Sequence, residues 1–109
     1  MTSLKKLAPP PYVTLQPAKY TPGDYGKPGT WTNTHPAFTA KERRLTGTEK
    51  VVAGVDTAVK LYRYWTDAPV PFSEAQSLRH PTQGELNVTA ITPYPERGIT
   101  IIEAKKVGS

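Results

Sequence analysis

A chain of 109 residues with no cysteine holds one domain around a single modest core, without disulfides, a thiolate nucleophile or a Cys-based metal site. Twelve prolines and eight glycines are spread along its length, which argues against long helices and for short strands joined by irregular loops. The net charge of +5 sits at the ends, with +3 in residues 1–30 and +2 in residues 97–109, while residues 31–96 balance; a balanced body is not the basic face expected of a nucleic-acid-binding domain.

Residues 1–11 are basic and proline-capped at Pro9 to Pro11, and read as a mobile arm ahead of one β-rich domain at 12–105, with 106–109 a short tail. Tyr12 to Gln16 is expected to form a first strand that Pro17 stops. Lys19 to Gly29 reads as a long loop of two turns, in which three glycines fit no phosphate-binding spacing. Thr30 to His35 is expected as a second strand, ended by Pro36. Thr39-Ala40-Lys41-Glu42 has the form of a capping box, which predicts one helical turn over Lys41 to Leu45, with Lys41, Glu42, Arg43 and Arg44 as a solvated charged cluster.

Residues 46–65 carry two patterns. Val51, Val55, Ala58, Val59, Tyr62 and Trp65 recur at helical spacing behind a second capping box at Thr46 and Glu49, yet Val51, Ala53, Val55, Thr57, Val59 and Leu61 also alternate. The density of β-branched residues favours strands, though 48–57 is open between the two. Thr57 to Trp65 is expected as the central strand, with Val59, Leu61, Arg63 and Trp65 toward the core and Ala58, Lys60, Tyr62 and Tyr64 outward. Thr66 to Phe72 is a proline-interrupted loop, and Ser73 to Arg79 is either a helical turn or an edge strand. Pro81 to Gly84 turns into a strand at Glu85 to Thr92, with Leu86, Val88, Ala90 and Thr92 on one face. Pro93 to Gly98 then turns the chain into Ile99 to Ala104, completing an antiparallel hairpin.

Residues able to carry chemistry are sparse. His35 and His80 each precede a proline with no metal-ligand spacing, so both are read as structural, and no metal or cofactor is expected. No serine has an elbow-like setting, and the carboxylates are scattered singly, so no catalytic residue is assigned and an enzyme is not expected. Tyr62, Tyr64 and Tyr94, beside Arg63 and Arg97, read as partner-facing aromatics, since tyrosine and arginine are enriched at protein interfaces. The same residues with Trp65 suit an alternative, a small OB- or SH3-like nucleic-acid-binding module. No apolar run approaches membrane-spanning length, and no membrane partner is expected.

The order of these segments resembles that of tailed-bacteriophage neck proteins of the head-completion or head-to-tail stopper family. The likeness rests on a first strand, the loop Asp24-Tyr25-Gly26-Lys27-Pro28, the strand and charged stretch His35 to Leu45, the Leu-Tyr pair ending Val59 to Tyr62, and the final hairpin with its loop Pro93 to Gly98. The turn Pro81 to Gly84 departs from the pattern in lacking an Asp-Gly pair. The resemblance implies a mainly β fold, a small β-barrel or rolled antiparallel sheet with long loops. It further implies a homo-oligomeric ring in the virion, assembled in the host cytoplasm between portal and adaptor on one side and tail proteins on the other, with packaged DNA in the channel. Asp24, Tyr25, Lys27, Lys41, Arg43 and Arg44 are then the candidate ring or channel contacts. A tail-completion or terminator subunit fits the same pattern.

Overall fold

The computed structural model describes residues 11–45, 60–67 and 69–107. Among these residues seven strands form: β1 Tyr12–Thr21, β2 Thr30–Asn33, β3 Phe38–Arg44, β4 Leu61–Thr66, β5 Ser77–His80, β6 Gly84–Tyr94 and β7 Ile99–Lys106. A single 3₁₀ turn, Pro95–Arg97, joins the last two strands, and Gly98 leaves it at φ 65°. All pairings are antiparallel, in the order β2-β1-β3-β4-β7-β6-β5. Because β5 also pairs with β1, six strands close into a barrel and β2 stands outside it. The fold is the small β-barrel expected from the sequence.

The strand β1 organises the closure by serving three partners in turn. Tyr12 to Leu15 pair with β3, Gln16 and Pro17 with β5, and Ala18 to Thr21 with β2. Pro17 therefore does not end the strand as expected. Its missing N–H falls where β1 changes neighbours, and its carbonyl still accepts the Thr34 N–H at 3.0 Å. The Gln16 amide donates to the Pro17 and His35 carbonyls, at 2.9 and 2.7 Å, which ties down the connection that follows β2.

The barrel interior is filled by inward residues of all six strands, among them Leu15, Ala40, Tyr62, Tyr64, Leu78, Leu86, Val88, Ile102 and Ala104. Phe72, from the β4–β5 connection, closes one side and meets Phe38 at 5.8 Å and His35 at 5.9 Å between ring centroids. In β6 the register against β7 slips at Thr89, where Val88 faces Ala104 and Ala90 faces Glu103. The bulge reverses the alternation, so that Ile91 packs against the core while Thr92 is exposed. The expected single face of Leu86, Val88, Ala90 and Thr92 is accordingly broken halfway.

Two further expectations are corrected. Lys41 to Leu45 forms no helical turn, because β3 is paired on both sides, with β1 and β4, and that ladder outweighs an isolated capping box. The faces of β4 differ from the expected ones: Tyr62, Tyr64 and Thr66 point inward and Arg63 and Trp65 outward, while Leu61, expected toward the core, is buried at 3% exposure. Ser73 to Arg79 contains a turn and then the strand β5 rather than a helical turn. The helix-or-strand alternative over 48–57, the Thr57 to Val59 start of the expected central strand and residues 1–10 of the expected arm lie outside the described residues.

Candidate functional site

The first candidate surface is the tip of the β1–β2 hairpin. The Asp24 carbonyl accepts the Lys27 N–H at 3.0 Å, and the two central residues, Tyr25 and Gly26, sit at φ 50° and 80°. Positive φ at both positions is type I′ geometry, here at the end of the connection between Thr21 and Thr30. The loop is closely folded: a Cβ on Gly23 would overlap the Lys27 and Pro28 carbonyls, and one on Gly29 would overlap the Tyr20 ring. Below the tip, Tyr20 packs on Trp31 at 5.1 Å between centroids, and the Arg79 guanidinium lies 5.6 Å over the Trp31 ring. These contacts hold the stem and leave Tyr25 fully exposed at its end.

The second candidate surface is a groove of about 360 Å³ on the outer wall, lined by Trp65, Tyr94, Glu96, Arg97, Ile99 and Ile101. Its apolar floor is held by Ile99, on which Tyr12 and Trp65 pack. The 3₁₀ turn supplies its charged edge, Glu96 and Arg97. Beside it on the same wall, Lys41 and Arg43 of β3 stand opposite Trp65 and Arg63 of β4, and Arg63 bonds Glu103 of β7 at 3.3 Å.

The third assembly is inside the barrel. Glu42 of β3 accepts through one oxygen, Oε2, from the Tyr64 hydroxyl at 2.8 Å and from His80 Nε2 at 2.5 Å. The other imidazole nitrogen, Nδ1, accepts the backbone N–H groups of Thr82 and Gln83, each at 3.0 Å, with the Thr82 hydroxyl at 3.2 Å. Two backbone donors aimed at Nδ1 assign the ring proton to Nε2, from which it is donated to Glu42. The imidazole thus joins the turn after β5 to a carboxylate on β3, a strand that is not its neighbour in the sheet. Burial, and then the bond to Glu42, push the Tyr64 phenol far above its ordinary value, so it remains a donor; burial also raises Tyr62, with Arg44 opposing the shift. With His80 and Tyr64 enclosed and both imidazole nitrogens engaged, the cluster acts as a bracket across the barrel.

The residues expected to meet partners are thereby divided. Asp24, Tyr25 and Lys27 are together at the hairpin tip, and Lys41 and Arg43 lie on the outer wall. Arg44 falls on the other side of β3 and is exposed at its end, opposite Tyr62. Tyr94 is exposed and borders the groove, whereas Tyr62 and Tyr64, expected to face a partner, are buried at 5% and 0% exposure. A tyrosine inside needs an acceptor for its hydroxyl, and Glu42, read from sequence as part of a solvated run, is that acceptor for Tyr64. The local signal for His80 was its place immediately before a turn, where a side-chain acceptor satisfies the N–H groups two and three residues on. Among the described residues no group of three or more His, Asp or Glu side chains is placed to hold a metal ion.

No family model matches the sequence, and no curated protein matches it. Among solved structures, the fold is similar to a Shigella flexneri 2a protein determined in solution by a structural genomics consortium, with a TM-score of 0.60 and 19% identity over 90% of this chain and 92% of that one. At that identity the likeness shows the fold.

Proposed function

We propose that the chain is a structural protein of a tailed-phage neck, of the head-completion or stopper kind, forming a homo-oligomeric ring between portal-adaptor and tail and helping to retain packaged DNA. The observation that carries this reading is the division of the molecule into a closed barrel filled by its own side chains and a braced hairpin reaching outside it. Such a body suits docking by edges, loops and tips. Its work is assembly: the tip residues Asp24, Tyr25 and Lys27 and the outer residues Lys41, Arg43 and Arg44 meet neighbouring subunits, adjoining rings or the channel.

The alternative, a nucleic-acid-binding module built on Tyr62, Arg63, Tyr64 and Trp65, retains only Arg63 and Trp65 at the surface, which weakens it as a stacking platform. The test is to combine the purified chain with DNA-filled, tailless heads assembled from the virion proteins encoded beside it. Co-sedimentation, DNA retention and a ring below the portal are expected, and charge reversal at Lys41, Arg43 and Arg44 should reduce all three. Undiminished assembly by that variant removes these residues from the contact. A salt-dependent shift of single-stranded DNA without head association refutes the neck reading in favour of the module.

A further inference from the structure

We infer that the hairpin tip of one copy seats in the outer groove of the next, so that the chain associates head to tail with itself; this deepens the ring reading above by naming the contact. Four observations converge on a second copy as the occupant.

The first is conformational. Tyr25 holds φ 50° at the first central position of a type I′ turn, a place that asparagine, aspartate or glycine fills at lower cost. Its ring is fully exposed, so nothing in its own barrel compensates for that choice. The second is shape. A groove of about 360 Å³ with Trp65, Tyr94, Ile99 and Ile101 around it is a receptor of the size and character that takes an aromatic side chain. The third is charge. Tyr25 is flanked by Asp24 and Lys27, and the groove is edged by Arg97 and Glu96, so the knob and its socket each carry one charge of either sign and can pair.

The fourth is reach. Tyr12, at the start of β1, packs on Ile99 at the groove, whereas the tip lies beyond Thr21 at the far end of the same strand. A ten-residue strand spans about 30 Å, and the molecule is 49 Å long, so the tip lies a strand's length from the groove of its own barrel. Each copy therefore offers one tip and one socket. A contact of this heterologous type generates a ring where the rotation closes. One seated tip is also small beside the about 800 Å² per partner of a stable binary interface, so association should be weak between pairs and gain strength on closure.

The absence of cysteine makes the contact directly testable. Lys27→Cys at the tip and Glu96→Cys at the groove edge, which leave the Tyr25 ring and the apolar socket in place, are made singly and together and treated with a short bifunctional maleimide. An equimolar mixture of the single variants should give a crosslinked dimer that neither gives alone, and the double variant should give a ladder. No product from the mixture, equal product from Lys27→Cys alone, or capture of the Glu96→Cys groove by a different virion protein in preference to the tip each overturns the inference. Tyr25→Asn, which suits the backbone and should keep the amide spectrum of the fold, should weaken self-association at least about tenfold in sedimentation, equivalent to about 1.4 kcal/mol. Undiminished entry of Tyr25→Asn into necks overturns this contact and leaves the neck reading standing. A ladder from a chain that never joins heads does the reverse.

Discussion

Removing the Glu42 carboxylate tests the account of the barrel interior most directly, because two enclosed donors converge on one of its oxygens. In Glu42→Ala the Tyr64 hydroxyl and the His80 Nε2–H lose their acceptor, and an orphaned buried donor costs about 1–3 kcal/mol. The Glu42 side chain is 26% exposed against 4% for His80, so water reaches part of the vacated space and the lower half of the range applies, about 2–4 kcal/mol in all. Glu42→Gln keeps a carbonyl oxygen for both donors and loses only the assistance of charge, which predicts about 1–2 kcal/mol. Urea unfolding followed by fluorescence reads the series as shifts of the midpoint at constant slope, on the order of 1–2 M for Glu42→Ala. A double-mutant cycle with Tyr64→Phe should return a coupling of about 1 kcal/mol, since the second substitution removes a donor that the first has already stranded. Glu42→Ala within about 0.5 kcal/mol of the parent chain, or a cycle that closes additively, refutes the bracket, because either result means the two donors do not depend on this carboxylate.

Other outcomes follow from the same structure. Stability should fall as pH rises past 10.0, the unfolded value for tyrosine, because Tyr64 and Tyr62 are raised in the folded state and the unfolded chain releases their protons first; Tyr64, raised far, contributes a slope of about 1.4 kcal/mol per pH unit, Tyr62 adds to the fall in the same direction, and Tyr64 phenolate absorbance should appear with unfolding. Leu86→Ala, at a side chain with no exposure in the barrel interior, should cost about 2–5 kcal/mol in the same urea assay. Tyr25→Asn should raise the melting temperature by a few degrees, on the order of 1 kcal/mol, by relieving a tyrosine at positive φ; an unchanged or lower melting temperature removes the conformational part of the case for Tyr25 as a binding residue.

The strands β6 and β7 and the turn between β5 and β6 were legible because turn residues bracket runs of alternating character, which is local information. The inward and outward faces of β4 were not. Ranking side chains by hydrophobicity places Leu61 and Trp65 inside and tyrosines outside; Leu61 is indeed buried, but the barrel exchanges Trp65 for the tyrosines by supplying Tyr64 with Glu42 from the next strand. That partner lies in a run of four charged residues whose odd and even members face opposite ways once both edges of β3 are paired. The bulge at Thr89 and the passage of β1 through Pro17 escaped for a related reason. Both are settled by which strands lie alongside, and partners distant in the chain leave no mark on the local pattern.

The arrangement separates what holds the fold from what is available for contact. The Glu42 bracket and the apolar interior draw on inward residues of the six barrel strands, while the tip depends on a two-stranded extension whose stem is braced by Tyr20, Trp31 and Arg79. Substitutions at Glu42, Tyr64 or His80 should therefore lower stability without altering the preference of surviving folded molecules for one another, and substitutions at Tyr25 should do the opposite. The pocket-facing residues sit between these cases, because Ile99 both floors the groove and anchors Tyr12 and Trp65 on the barrel wall. Ile99→Ala should consequently weaken both properties, and only a substitution at the rim, such as Arg97→Glu, can change the socket alone. Paired with Asp24→Lys, which reverses the facing charge, Arg97→Glu should recover association that either change loses singly; failure to recover would place the two side chains in different contacts.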